Sequence, residues 1–363
     1  MKYRFLILIA ALMVLTSSTL FAQGERKDKT AVTYEEIYDE PYSVNKLFIG
    51  LVPMYGELFA TNVNAGFGVD AMYYLKDKAD FHVQYRKTYS QKFYDFTREL
   101  ASNQSSVDNR SAVYNYIEFG GSYHFKDFEE SSKTKMVLYK NSYKGNKWAA
   151  RVPLHAEVPC KVRKIYAARL GGIFWTSSAD LGRILERQGL SNSDLKTTSD
   201  VSLPEVEMVK IDGVLKTNYP VHPFTNITST GLYVGGSMSW IRNVAVNFDK
   251  FEEGIDDGIL TAYVDILIAP SLKIDDVVYT QKDANGDRDV TTTATYSVSP
   301  VKTKMIGFRV GMDGRFNRQL GWSYGGEVGY RPTFEKAGFY ALIKIAFPVF
   351  GTNLDYKVES FGK

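Results

Sequence analysis

Long stretches of this chain alternate, residue by residue, between apolar and polar or small side chains. A period of two dictates a β-strand with one apolar face. From Asn64 the apolar set is Ala65, Phe67, Val69, Ala71, Tyr73 and Leu75, interleaved with Gly66, Gly68, Asp70, Met72 and Tyr74. After the polar turn Lys76 to Ala79, Phe81, Val83 and Tyr85 alternate with His82, Gln84 and Arg86. Two strands joined by so tight a turn make a hairpin. The pattern returns over Ile117 to Phe125, Tyr166 to Phe174, Leu232 to Trp240 and Leu260 to Ile268. Near the C-terminus Ile306, Phe308, Val310, Met312 and Phe316 oppose Gly307, Arg309, Gly311, Asp313 and Arg315. Two further alternating runs, Trp322 to Arg331 and Ala337 to Phe347, complete the series.

The length of these runs narrows the fold. Strands of soluble proteins average about 5 to 6 residues, whereas a tilted strand that crosses a bilayer needs roughly 9 to 11. Most of these runs reach the longer class. In hydrocarbon every backbone N–H and C=O must find a partner, and only a closed sheet has no edge. The reading is therefore an all-β chain forming a closed antiparallel transmembrane β-barrel. A soluble sandwich or lipocalin-like barrel is the alternative, since one apolar face also suits a packed core. Ten runs are clear when Lys46 to Tyr55 is included, and Lys135 to Tyr143 and Asn243 to Asp249 are weaker candidates. Single-chain barrels of this kind use even numbers, so about 12 strands are expected, with ten or fourteen as rivals.

The N-terminus fits export. Lys2 and Arg4 precede the apolar run Phe5 to Leu15, and Thr16 to Ala22 lead to Gln23. That is the layout of a secretory signal peptide, with cleavage placed after Ala22. No later run is apolar enough for a spanning helix, which needs about 20 residues. The one cysteine, Cys160, permits neither an intrachain disulfide nor an N-terminal lipid anchor at Gln23. The 25 Tyr, 22 Phe and 29 Gly suit a barrel with aromatic girdles and closely packed strands. A net charge of +3 gives no case for nucleic acid. The expected organisation is a signal peptide over 1–22, a flexible periplasmic lead-in over 23–44, the barrel over 45–350 and a polar tail over 351–363.

Connections are unequal. Lys76 to Ala79 and Asn317 to Leu320 are tight, whereas Gln91 to Ala112, Ser177 to Thr230 and Lys273 to Val301 are long. Short periplasmic turns and long outer loops are the rule for membrane barrels. Asp212-Gly213 predicts a small hairpin between Val206 to Lys210 and Val214 to Lys216. Tyr219 and Phe224 read as exposed aromatics of that loop, suited to a surface contact or an inward-folded constriction.

The leader ending in Phe-Ala-Gln, the Gly- and Tyr-rich alternating strands and the final apolar strand together resemble the broad class of outer-membrane β-barrel proteins of Gram-negative bacteria. The resemblance covers roughly residues 45 to 350. It implies location in the outer membrane, with lipid around the chain and an envelope protein as partner. One departure is the polar tail after Phe350, where such barrels often end on an aromatic residue.

The polar faces carry both signs of charge. Asp70, Glu118, Asp265, Asp313 and Glu327 share them with Arg86, Arg169, Arg309, Arg315, Arg331 and Lys344. Charges turned to lipid would cost about 2 to 4 kcal/mol each near the midplane, so these residues are expected to line the lumen. They form either an ion-paired filling or an arginine-lined filter for anions. Asp283 to Asp289 resembles the start of a calcium loop, but Gly286 and Ala294 break the pattern, and a solvated Asx turn is the reading. His82, His124, His155 and His222 are scattered, with no nucleophile constellation, zinc spacing or phosphate loop. Neither catalysis nor a cofactor is expected. The functional expectation is a surface binding or scaffold barrel with a narrow or plugged lumen, and the alternative is a passive porin-like channel for small, anionic solutes.

Overall fold

In the computed structural model each long strand pairs with its neighbour in sequence. The structure describes residues 33–59, 62–75, 78–90, 95–103, 106–139, 154–211, 214–249, 251–283, 285–317 and 322–352. Among them ten strands close into one barrel. They are β1 (Leu47–Phe59), β2 (Asn62–Leu75), β3 (Ala79–Thr88), β4 (Asn115–Leu138) and β5 (Leu154–Asp180). The second half comprises β6 (Phe224–Ile241), β7 (Gly258–Ile274), β8 (Ile306–Phe316), β9 (Ser323–Tyr330) and β10 (Phe339–Thr352). Every pairing is antiparallel, and β10 pairs with β1 from Tyr340↔Phe59 to Thr352↔Leu47 to close the ring.

The barrel therefore has ten strands instead of twelve. The clear runs of the sequence are the ten staves. The weaker run Lys135 to Tyr143 is not a separate stave, because β4 continues unbroken through Leu138. Asn243 to Asp249 contains a strand, Val244–Phe248, which belongs to a separate three-stranded sheet with Tyr34–Asp39 and Gly254–Asp256. The stretch read as a lead-in thus includes a paired strand, with Tyr34 opposite Phe248 and Asp39 opposite Val244. The leader 1–22 and most of the tail lie outside the described residues.

The outer wall is apolar on all ten strands. Aliphatic side chains such as Val69, Leu170, Val234, Val264, Val310 and Ile343 form its middle and are 40–69% exposed. Aromatic rings flank them: Phe119, Phe308 and Phe339 towards one end, Phe81, Tyr123, Trp322 and Phe347 towards the other. Phe308 and Phe316 lie eight residues apart on β8. At about 3.3 Å per residue and a tilt near 40°, that separation spans roughly 20 Å, close to the ~25 Å band of membrane barrels. The burial pattern reverses that of a soluble protein, in which the apolar face turns inward.

The two ends differ. At the lower end, where β1 begins and β10 stops, two turns are short and the others are not. β4 and β5 run on together as a hairpin from Lys126↔Tyr166 to Leu138↔Leu154, well past the last β6 partner at Arg163↔Ile241. That extension of nine residues reaches roughly 30 Å. One hairpin face buries Met136, Leu138, Val158, Cys160 and Val162 against Val244, Val246 and Phe248 of the small sheet. The other face carries the cross-strand ion pairs Lys161–Glu129 and Lys133–Glu157, while Lys164–Glu130 lies on the first face nearer the barrel. The expectation of uniformly short turns at this end is thus corrected: an amphipathic hairpin gains its own core from the connection between β6 and β7, with which the segment before β1 pairs.

At the upper end the long connections fold into a cap. A helix α1 (Phe96–Asn103) follows β3, and α2 (Leu181–Gln188) follows β5 directly. Asp180 caps α2 by accepting from the Arg183 amide, and Gly189 closes it in the left-handed region at φ 77°. The strands flanking the expected turn pair with each other, Val206–Ile211 with Val214–Pro220, and Asp212 and Gly213 themselves lie outside the described residues. A second hairpin pairs Val277–Lys282 with Arg288–Tyr296.

Candidate functional site

The alternation that turns apolar side chains outward turns charged ones inward, and the interior is where chemistry concentrates. The structure places Asp70, Arg86, Glu118, Arg169, Asp265, Arg309, Asp313, Arg315, Glu327, Arg331 and Lys344 on the lumen side of the wall. Ten of them enter ion pairs that form three layers, and Arg315 lies over the Phe48 ring at 5.5 Å.

In the middle layer Arg309 on β8 is 1% exposed. It donates to both Glu118 oxygens on β4 at 2.6 and 2.7 Å and to Asp265 on β7 at 2.8 Å. Glu327 on β9 lies 3.4 Å from it. Arg169 on β5 reaches the other Asp265 oxygen at 3.1 Å and lies 4.1 Å over the Tyr263 ring. Gly235 stands between Arg169 and Asp265 on a shared rung, and a Cβ there would lie 2.1 Å from Asp265 Oδ1. The bare backbone at Gly235 lets the two charges meet over β6.

The upper layer centres on Glu57 of β1. Arg331 forks onto it with bonds of 2.9 and 3.1 Å, and Arg86 lies 3.6 Å away while covering Tyr116 at 3.9 Å. In the lower layer Lys344 sits 3.0 Å from both Asp70 and Asp313. Gly325 plays the same part there, since a Cβ would collide with both Asp313 and Lys344.

The upper and middle layers match Arg86, Arg169, Arg309 and Arg331 with Glu57, Glu118, Asp265 and Glu327. Buried ions are tolerated only when paired and hydrogen-bonded, and here tyrosines complete the shell. Tyr116 donates to Glu118 at 2.6 Å, Tyr263 and Tyr340 to Glu327 at 2.9 and 2.5 Å, and Tyr114 to Glu57 at 3.0 Å. Guanidinium groups stacked on aromatic faces gain about 0.5 to 2 kcal/mol each. Two cavities in the lower lumen measure about 40 Å³ each, room for a few waters.

The sequence reading did not include Glu57 or the tyrosines. Glu57 escapes because β1 carries a bulge between Val52 and Tyr55, containing Pro53. Phe48 and Val52 face inward before it, and Tyr55, Glu57 and Phe59 after it. The phase of two therefore breaks at the bulge. The tyrosines look like girdle residues in sequence, and only their position on the charged face reveals them.

Above the upper layer the cap has its own apolar core. Leu181, Ile184 and Leu185 of α2 pack with Leu195, Leu203, Val221 and Phe224. This buried cluster continues without a break into the lumen through Tyr55, Tyr116, Tyr233 and Tyr340. Phe224 is fully buried, which corrects its reading as an exposed aromatic, and Tyr219 is half-buried. The two cap hairpins are pinned together: Glu207 accepts from Tyr279 at 3.0 Å and lies 3.7 Å from buried Lys282. Burial, with Glu207 beside it, pushes the Tyr279 hydroxyl far above its ordinary range. By contrast Val206, Met208, Val214 and Leu215 of the first hairpin stay exposed.

The remaining sequence candidates fall into place structurally. Asp283 accepts from the Asn285 and Asp287 amides at 2.9 and 2.8 Å, an Asx turn at a hairpin tip. Among the described residues no group of three His, Cys, Asp or Glu side chains is arranged to hold a metal. His82 joins Glu118 at 3.1 Å and Tyr233 at 2.9 Å. Ser122 and His124 both bond the Asp80 carboxylate, at 3.0 and 2.9 Å. The chain matches no protein-family model and no curated protein.

Proposed function

We propose that this chain is an exported outer-membrane β-barrel of a Gram-negative envelope that works as a binding scaffold and not as a conduit. The observation that carries the reading is the lumen network, in which Arg309 ties β8 to β4 and β7. An anion filter needs arginines that face water and are free to exchange partners. Here Arg309 and Arg331 are each held in two hydrogen bonds to one carboxylate and are almost fully buried. Membrane insertion is supported by the apolar wall, since an exposed apolar surface on every strand is far larger than a soluble monomer carries.

The scaffold presents two platforms. The cap, with its exposed hairpin Val206–Ile211 and Val214–Pro220, is the surface offered on the outer side. The β4–β5 extension with its small sheet is the periplasmic platform, and its ion-paired face marks where water begins.

The test is insertion without leakage. A variant retaining Trp322 as its only tryptophan, refolded into vesicles of bromine-labelled phospholipid, is expected to show strong fluorescence quenching while the vesicles hold an entrapped small dye. Unquenched Trp322 contradicts the membrane reading, and rapid dye loss contradicts the closed lumen.

A further inference from the structure

One sizeable cavity lies outside the lumen. It is a groove of about 470 Å³ where the lower rim of the outer wall meets the periplasmic platform. Its wall comes from four consecutive strands: Trp240 of β6, Leu260 of β7, Phe316 of β8 and Tyr324 of β9. Leu260 is the rung partner of both Trp240 and Gly314, which sets the wall of the groove in the outward-facing apolar surface. The lower lip is polar and carries Arg242 and Asp256, and Arg315 also lines the groove.

The lip is unevenly satisfied. Asp256 accepts a 2.6 Å hydrogen bond from Thr134, whereas its distance to Arg242 Nη1 is 3.6 Å, too long for one. Arg242 Nε is buried without a hydrogen-bond partner among the described residues. The Arg242 side chain is nevertheless 42% exposed. A guanidinium whose fork is not taken up by its carboxylate suits a tetrahedral oxyanion.

We infer that this groove holds a glycerophospholipid of the surrounding leaflet, with its phosphate on Arg242 and an acyl chain along Trp240, Leu260, Phe316 and Tyr324. The inference rests on the membrane reading above. Depth and charge favour this occupant. The groove sits in the lower aromatic ring, where headgroups meet acyl chains, with Arg242 on its polar side and apolar walls on the other, and Arg315 also borders it. The volume falls within the range of ordinary ligand pockets. Recognition is by the phosphate, so phosphatidylethanolamine and phosphatidylglycerol both qualify, and diacylglycerol does not.

Native mass spectrometry of the full chain, released from mild detergent doped with phosphatidylglycerol, tests this. The wild type is expected to retain one phospholipid. Arg242→Ala is expected to lower that occupancy by about tenfold, the loss of one charge-assisted contact. Leu260→Trp fills the groove with an apolar side chain and is expected to abolish retention while the barrel stays folded. Retention unchanged in both variants, or equal retention of diacylglycerol, overturns the site. Quenching of Trp322 by brominated lipid separates the two claims: quenching without a retained lipid defeats the groove alone, and no quenching defeats the membrane reading with it.

Discussion

Arg309 of β8 and Glu118 of β4 meet across the lumen through two hydrogen bonds, of 2.6 and 2.7 Å. Three strands separate these residues by the shorter way around the ring, so the pair works as a strut between walls that share no backbone bonds. A ten-stranded barrel is narrow enough for one arginine and one glutamate to bridge it. Removing the strut leaves Glu118, Asp265 and Glu327 as buried carboxylates lacking their shared cation. Arg309→Met is expected to destabilise the barrel by about 3 to 5 kcal/mol, read as a lower urea midpoint of refolding in vesicles. A change under about 1 kcal/mol would show that the strut is dispensable.

Glu57 and Arg331 offer a second, separable test. Glu57→Gln alone strands both Arg331 and Arg86, whereas Glu57→Gln with Arg331→Met removes both partners of the fork. A double-mutant cycle is expected to give a coupling of about 1 to 3 kcal/mol, with the double variant more stable than the sum of the singles. Additive losses would mean that the 2.9 and 3.1 Å bonds contribute nothing as a pair.

Much of this was legible before any coordinates. The ten staves and their inward and outward faces follow from the period of two, because the outer wall is apolar on every strand and tolerates few exceptions. Glu57 was hidden by the Pro53 bulge, which shifts the phase of β1 after Val52. Strand Tyr34–Asp39 and its pairing with Val244–Phe248 were hidden for a different reason. Both strands are short, and their pairing joins residues about two hundred positions apart, which no local pattern announces. Phe224 was misread because polarity in the surrounding loop says nothing about a cap core assembled from three connections.

The outer wall makes the contrary prediction to the lumen. Val310 is exposed in the middle of the apolar band. Val310→Arg is expected to cost about 2 to 4 kcal/mol in a bilayer, where a soluble barrel would tolerate the change at its surface. Refolding yield and urea midpoint in vesicles check this, with Lys133→Arg on the charged hairpin face as the neutral control. Equal behaviour of the two variants would place the Val310 face in water.

The cap is expected to be separable from closure. Leu185 is buried in the cap core, and Leu185→Ala should loosen it by about 2 to 5 kcal/mol. Faster hydrogen exchange over 181–223, with no gain in vesicle permeability, is the expected result, because the arginine layers lie beneath the cap. Permeability appearing in this variant would assign closure to the cap instead.

Asp39 provides a pH signature for the β4–β5 extension and its small sheet. Its carboxylate accepts from the Lys161 amide at 2.8 Å, and burial raises its pKa above the ordinary value, a shift that the amide only partly offsets. A raised carboxyl pKa means that the folded form favours the proton. The associated stability is present below the unfolded pKa and is lost as pH rises through the folded one. Strand Tyr34–Asp39 should therefore be better protected from exchange near pH 4 than near pH 7, after correction for intrinsic rates, and Asp39→Asn should remove the difference. Protection that grows with pH in the wild type contradicts this sign.

The most direct test of a closed scaffold barrel is single-channel recording in planar bilayers, on protein whose insertion is established by Trp322 quenching. The account predicts a silent membrane at every salt gradient, because the arginines that would carry anions are bound to Glu57, Glu118 and Asp265. Stable, ion-selective openings that disappear in Arg309→Met would contradict it and make the same arginine layer the filter of a channel.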